Sequence, residues 1–209
     1  MRALAAARPL FSDLPSRLRS WLPPSSSSFK TFSASSSSPP SDSDLRNQSR
    51  GTLKGGRADW LIEKCTELGA SSVTPLLTER SSIISDNRVD RLERVSFAAA
   101  KQCQRLHQMV VSPAIKFNTL LDHISKSKLC LVATAEATPL LNAVQSSAKE
   151  SSGLLIVGPE GDFTKKEMEM MLEAGGTAVG LGPHRLRVET ATIALLATLV
   201  TWSDSQETD

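Results

Sequence analysis

Two glycine-rich turns hold the residues best suited to chemistry. The first turn is GPEGDFT at Gly158–Thr164, and the second is LGPHRLRVETA at Leu181–Ala191. Each follows an apolar run typical of a strand and opens a run typical of a helix. Glycine there lets backbone groups approach a ligand without a Cβ in the way, or simply permits a tight bend. Because the turns lie one βα unit apart, we interpret them as one binding site.

The spacing of the glycines excludes two common nucleotide-binding motifs. Gly158 and Gly161 lack the following Lys and Ser/Thr of a P-loop, and a G-x-G-x-x-G fingerprint is absent. Glu160 and Asp162 would also repel a pyrophosphate. A cationic or zwitterionic ligand suits this acidic turn better, and S-adenosylmethionine, with its sulfonium and ammonium groups, is such a ligand.

The two turns and an upstream block carry a resemblance to a known family. The block runs from Lys54-Gly55-Gly56-Arg57 through Glu67-Leu68-Gly69 to Pro75-Leu76-Leu77-Thr78-Glu79-Arg80-Ser81. With GPEG and LG-x-x-x-LR-x-ETA, it resembles the RsmE family of ribosomal RNA methyltransferases over roughly Leu53 to Trp202. The resemblance implies a SPOUT-type C-terminal trefoil knot, S-adenosylmethionine bound in the knot of a homodimer, and N3-methylation of a uridine in small-subunit ribosomal RNA.

Charged residues near the turns are the candidates for catalysis. Arg187 precedes a helix, where a cation gains nothing from the helix dipole, so a ligand, phosphate or carboxylate partner explains it better. The charge of Arg187 would stabilise the carbonyl oxygens of a uridine that loses its N3 proton. Glu160, Glu189 and solvent are alternative acceptors of that proton, and each glutamate could instead supply negative charge at a helix start.

The remaining candidates would hold the cofactor or the RNA. The strand ends and the resemblance together give as cofactor-binding candidates Thr134, Gly158, Pro159, Glu160, Gly161, Leu181, Gly182, Leu186 and Thr190. The RNA-binding candidates are Arg80, Arg105 and Arg185. A solvated helix face is the alternative interpretation of Arg105.

The chain departs from the family pattern in two places. His184 and Arg185 stand where family members usually have Arg and Ile. The family also carries an N-terminal PUA-like RNA-binding domain, whereas only about a dozen polar residues separate the N-terminal tract from Lys54. We therefore interpret that domain as missing. A non-catalytic dimerising isoform, or a SPOUT methyltransferase acting on transfer RNA, remain alternative functions.

The overall composition is that of a globular protein. Of 209 residues, 40% are hydrophobic and 22% charged, and the net charge of +2 does not by itself indicate nucleic acid. Cys65, Cys103 and Cys130 are too widely spaced for a disulfide framework or a zinc site, so we interpret them as buried thiols. We expect no metal. We also expect no membrane partner, because no apolar run approaches the ~18 residues of a span.

The first forty residues have a different composition. They carry arginines and two serine runs, with Asp13 as the single acid, and cannot fold alone. Such a segment is typical of an organelle transit peptide, with an ordinary disordered tail as the alternative. Serine richness favours the chloroplast, whereas the start Met-Arg-Ala-Leu-Ala-Ala-Ala-Arg could equally begin a mitochondrial presequence, so the mitochondrion stays an alternative. We therefore divide the chain into a disordered extension (1–52), a methyltransferase domain (53–203) and an acidic tail (204–209).

Strands and helices alternate through the predicted domain. Strands are predicted at Ser72–Leu77, Met109–Ser112, Leu129–Thr134, Leu154–Val157 and Thr177–Leu181. Helices are predicted at Asp59–Leu68, Arg88–His107, Asn118–Ile124, Pro139–Ala148, Thr164–Ala174 and Glu189–Trp202, with a capping box of Thr164 and Glu167. This pattern indicates an α/β fold, a mostly parallel sheet with helices on both faces, and a ligand at the C-terminal strand ends.

Overall fold

The computed structural model describes residues 28–34, 53–80, 87–145 and 152–206. Its strands are β1 (Ser28–Ala34), β2 (Ser72–Leu77), β3 (Val110–Val111), β4 (Ile115–Lys116), β5 (Cys130–Pro139), β6 (Ser152–Val157) and β7 (Thr177–Gly180). Its helices are α1 (Leu53–Leu68), α2 (Asn87–Gln102), α3 (Phe117–Lys126), α4 (Leu140–Gln145), α5 (Lys165–Glu173) and α6 (Val188–Gln206). These strands form one sheet in the order β3-β2-β1-β6-β5-β7, and β4 also pairs with β2. All of the pairings are parallel.

Helices cover both faces of the sheet, as predicted. On β6, Leu155 and Val157 pack in one core cluster with residues of α1, α2, α4 and α6. Leu154 and Ile156 pack in a second cluster with residues of α3 and α5. Successive side chains of a strand point to opposite faces, so the uninterrupted apolar run of β6 supplies both cores. The α/β fold class is therefore confirmed, whereas the trefoil knot stays a prediction.

A strand in the predicted extension lies at the centre of the sheet. β1 is seven residues long and pairs with β2 on one side and β6 on the other, so that Phe32 is in register with both Thr74 and Ile156. These residues belong to the sheet rather than to a disordered extension, which corrects the boundary at residue 52. Strand pairing uses backbone groups, which a serine-rich composition does not reveal. The other extension residues up to 52 lie outside the described ranges.

Other element boundaries differ from the predictions by a few residues. α2 ends at Gln102, whereas the sequence predicted a helix up to His107. The left-handed backbone of Gln104 (φ 57°) prevents the helix from continuing. α6 continues to Gln206, so residues 204–206 belong to the helix rather than to the acidic tail. Among the described residues, none of the helices is long and apolar enough to cross a membrane.

Candidate active site

A cavity of about 450 Å³ lies at the C-terminal ends of β5, β6 and β7. Small-ligand pockets typically measure about 300–1,000 Å³. Both glycine-rich turns contribute to its wall, so the structure brings them together as predicted. Of the predicted site residues, those that line the cavity are Thr134, Gly158, Pro159, Glu160, Leu181, Gly182, Arg185, Leu186 and Arg187. Those outside its lining are Gly161, Thr190, Glu189, Arg80 and Arg105.

Internal hydrogen bonds hold the first turn. The Asp162 N–H donates to the Pro159 carbonyl (2.8 Å), and the Phe163 N–H donates to Asp162 Oδ1 (2.9 Å). Asp162 has a left-handed backbone (φ 63°), a conformation that Asp adopts more readily than most residues. A Cβ on Gly158 would lie 3.1 Å from the buried Phe163 ring. Close packing against Phe163, rather than its own dihedral angles, therefore favours glycine at position 158.

The predicted capping box is present and extends beyond α5. Thr164 Oγ1 accepts from the Glu167 N–H, and Glu167 Oε2 accepts from the Thr164 N–H (2.8 Å). Glu167 Oε1 also accepts from the Glu79 N–H (3.0 Å) in the segment after β2. The Glu167 side chain is buried, and its carboxylate accepts from both of these partly buried backbone donors. One side chain thus fastens the first turn to the N-terminal half of the domain.

Arginines neutralise the carboxylates of the first turn. Arg57 Nη1 lies 3.3 Å from Glu160 Oε1, and Arg185 Nη2 lies 3.4 Å from Asp162 Oδ2. Arg185 also donates to the Glu160 carbonyl (3.3 Å), and Arg80 donates to the Gly161 carbonyl. Each carboxylate of the acidic turn therefore faces a guanidinium, a pairing that was not predicted from the sequence. The turn's negative charge alone does not select a cationic ligand.

The second turn is open where it lines the cavity. Residues 181–187 are all exposed, and Gly182 has φ 114°, a conformation that side chains rarely adopt. Among the described residues, the Arg187 side chain makes no ion pair or hydrogen bond, so its guanidinium is available to a ligand. The apolar side chains of Leu181 and Leu186 are each 40% exposed at the cavity, and a ligand would cover them.

Arg57 is the main site residue that sequence reasoning missed. Besides Glu160, its Nε lies 3.7 Å from Glu189 Oε1. Glu189 is buried, and Glu189 Oε2 has no hydrogen-bond partner among the described residues. Arg57 stood in the upstream motif, but 103 residues separate it from Glu160, so only the fold reveals the pairing.

Arg105 lies away from the cavity, at the end of a helix. Its Nε and Nη2 donate to the Glu67 carbonyl at 3.1 and 2.8 Å, at the C-terminal end of α1. A Cβ on Gly69 would lie 2.7 Å from its guanidinium. Arg105 thus caps a helix, because a cation is favourable where carbonyls lack partners. An RNA contact by Arg105 stays a prediction.

Two of the three cysteines are buried, as predicted. Burial raises the pKa of the Cys65 and Cys130 thiols to about 12, because a thiolate loses its hydration there. Cys103 is partly exposed. In the part of the chain that the structure describes, no group of His, Cys, Asp and Glu side chains could hold a metal ion.

The chain can now be compared with known proteins. A family model for the RNA methyltransferase domain matches residues 49–200. The chain belongs to the RNA methyltransferase domain family. Its curated relatives include two proteins named Ribosomal RNA small subunit methyltransferase E, which confirms the resemblance to the RsmE family. The Bacillus subtilis protein is 34% identical over 71% of this chain and 62% of its own length. The Synechocystis protein is 32% identical over 69% of this chain and 49% of its own.

A solved structure agrees with the fold of this family member. It is the Neisseria gonorrhoeae Ribosomal RNA small subunit methyltransferase E bound to S-adenosyl methionine, with 30% identity and a TM-score of 0.65. The match covers 71% of this chain and 62% of that one. The chain thus spans about half to two thirds of the length of these three relatives.

Proposed function

We propose that this family member is an S-adenosylmethionine-dependent RNA methyltransferase that methylates N3 of a uridine in small-subunit ribosomal RNA. The observation that carries the proposal is the cavity formed by the two motif turns at the strand ends. The cofactor bound by the Neisseria relative supports S-adenosylmethionine. The names of the relatives support ribosomal RNA, and the RsmE resemblance supports uridine N3.

The residues present fit such a cofactor. β7 approaches β5 so closely that a Cβ on Gly180 would lie 3.1 Å from the Thr134 carbonyl, which leaves backbone groups at the cavity wall. Leu181 and Leu186 offer apolar surface to an adenine ring. S-adenosylmethionine supplies a methyl group on a positively charged sulfur. The protein has to hold that group in line with the uridine nitrogen.

The two candidate proton acceptors differ in their exposure to the cavity. The Glu160 side chain lines the cavity and is 46% exposed, whereas that of Glu189 is 12% exposed and lies behind the wall. We therefore propose that the N3 proton passes to Glu160 as the bond from N3 to the methyl carbon forms and the bond from that carbon to sulfur breaks. Arg187 would stabilise the negative charge on the uridine carbonyl oxygens.

RNA would approach across the exposed arginines beside the first turn. Arg185 has a side chain that is 60% exposed at the cavity rim, and Arg80 contacts Gly161 on the outer side of the same turn. Both guanidiniums can bridge the turn and a phosphate, because each has several donors. Arg105 lies away from this edge.

A homodimer would cover the outer face of α6. No charged residue lies between Glu189 and Asp204, and Ile193, Ala197 and Val200 are only partly buried. A helix face of apolar side chains that are only partly buried is favourable when a neighbour covers it. We expect Val200→Arg to convert a dimer into a monomer in analytical ultracentrifugation, while Asp204→Arg at the end of the helix should leave the dimer intact.

The composition of residues 1–27 supports import into the chloroplast, with the mitochondrion as the alternative. Since β1 begins at Ser28, a cleaved leader would have to end before it. Fluorescent fusions locate the protein, and N-terminal sequencing of the imported form should find a start no later than Ser28.

The proposed function is tested with the full chain, because a shorter one beginning after residue 34 would lack β1. Calorimetry should show saturable binding of S-adenosylmethionine. Tritiated S-adenosylmethionine should then label small-subunit ribosomal RNA. Arg187→Gln should keep the cofactor and lower labelling by ~10²-fold. Arg94→Gln, on the exposed side of α2, is the control that should leave labelling unchanged.

Each contrary result is distinct. Labelling of transfer RNA instead would favour that alternative substrate. Cofactor binding with no labelling of any RNA would favour the non-catalytic dimer. A folded chain that binds no cofactor would exclude the enzyme.

A further inference from the structure

One arginine contacts acidic side chains of both turns. Arg57 lies on α1. Its Nη1 lies 3.3 Å from Glu160 Oε1 in the first turn, and its Nε lies 3.7 Å from Glu189 Oε1 in the second. Arg57 also lines the cavity, and its side chain is 33% exposed. The guanidinium therefore lies between Glu160, which lines the cavity, and Glu189, which lies behind its wall.

The burial of Glu189 makes this cation important. A buried carboxylate costs free energy unless a partner stabilises its charge, and Glu189 Oε2 has no hydrogen-bond donor among the described residues. Arg57 is within ion-pair distance of the other oxygen. Without Arg57, two neighbouring carboxylates would leave net negative charge at one side of the cavity.

We propose that Arg57 is a positioning residue that offsets the charges of Glu160 and Glu189, and thereby sets how strongly the cavity prefers S-adenosylmethionine over the product S-adenosylhomocysteine. This inference rests on the proposed function. The two ligands differ by one methyl group and by the charge on sulfur, which is positive in the first and neutral in the second. A cavity of about 450 Å³ is roughly 10 Å across, which is about one Debye length at 0.1 M salt. Charge on the wall therefore acts on the sulfur throughout the cavity.

The test is the ratio of the two dissociation constants, measured by calorimetry on the full chain. Arg57→Met should raise the ratio of the S-adenosylhomocysteine Kd to the S-adenosylmethionine Kd by about fivefold, because it removes a positive charge near the sulfonium. Glu160→Gln should lower that ratio by a similar factor. A purely structural role for Arg57 would weaken both ligands equally and leave the ratio unchanged.

Two control variants separate charge from packing. Arg57→Lys retains the charge and should keep the ratio within about twofold of the wild type. Arg91→Met removes an arginine of α2 that pairs with Asp59 of α1, outside the cavity lining, and should not change the ratio.

The outcomes distinguish this inference from the function on which it rests. A wild-type chain that binds both ligands, with unchanged ratios in Arg57→Met and Glu160→Gln, overturns the role of Arg57 alone. If Arg57→Met fails to fold by circular dichroism, the ratio in Glu160→Gln decides. A folded wild type that binds neither ligand overturns the proposed function, and this inference with it.

Discussion

The two turns that enclose the cavity are held in different ways. The first is fixed from inside by its own hydrogen bonds, by the buried Phe163 ring and by the Glu167 carboxylate. The second is exposed along residues 181–187. Arg185 of this turn contacts the first turn, and the Arg187 carbonyl accepts from the Ala191 N–H at the start of α6. A preformed wall thus faces an open one.

The two turns therefore have different tasks in the binding site. Buried contacts hold the backbone of the first turn in place before a ligand binds, so less conformational entropy is lost on binding. The open turn offers side chains without partners in the described structure, such as Arg187, whose contacts would form with the ligand. Variants in the first turn should therefore change stability and binding together, and variants in the second should change binding with a smaller loss of stability.

The largest effect is expected for Glu167→Ala. The substitution removes the acceptor of the partly buried N–H groups of Thr164 and Glu79, and an N–H group left without an acceptor costs about 1–3 kcal/mol. The free energy of unfolding in urea should therefore fall by about 3 kcal/mol, and cofactor affinity should fall with it. Glu169→Ala, on the exposed side of α5, is the matched control and should change neither. Normal stability of Glu167→Ala would remove the distinction between the turns.

Gly158→Ala is expected to have the next largest effect. Its new Cβ would lie 3.1 Å from the Phe163 ring and 3.2 Å from Asp162 Oδ1, so the turn would have to move. Overpacking of this kind costs about 1–3 kcal/mol. Thermal unfolding and calorimetry should both register the loss. Combined with Phe163→Leu, the alanine should cost less than it does alone, and simple additivity of the two variants would contradict the packing explanation.

Gly182→Ala tests the second turn. Its expected cost comes from backbone strain, whereas that of Gly158→Ala comes from steric crowding. No atom lies within 4 Å of the new Cβ, but φ 114° disfavours any side chain, at about 1 kcal/mol or more. Gly175→Ala is a matched control, with φ 106°, equally open space and a position at the end of α5 away from the cavity. Both should lose similar stability, but only Gly182→Ala should weaken cofactor binding. If Gly182→Ala and Gly175→Ala weaken cofactor binding equally, Gly182→Ala acts through the stability of the fold and not through the binding site.

The sequence revealed elements with local signals better than elements and contacts that depend on distant parts of the chain. Local signals sufficed for β2 at Ser72–Leu77 and for the Thr164–Glu167 capping box, since their evidence lies within a few residues. β1 was missed because its Ser, Thr and Lys residues break the apolar run expected of a central parallel strand. Pairing across more than a hundred residues, as in Arg57 with Glu160, leaves no periodic pattern at all.

The smallest effect on stability is expected for Arg185→Met, which tests the contact between the turns. Both contacts of Arg185 are exposed, and exposed ion pairs contribute about 0.5 kcal/mol or less, so urea unfolding should hardly change. RNA binding should weaken and depend less on salt, because one phosphate-contacting cation is lost. Arg94→Met supplies the same loss of charge on the exposed side of α2 and should leave RNA binding unaltered. A stability loss above about 1 kcal/mol in Arg185→Met would instead mean that this pair, and not the ligand, orders the second turn.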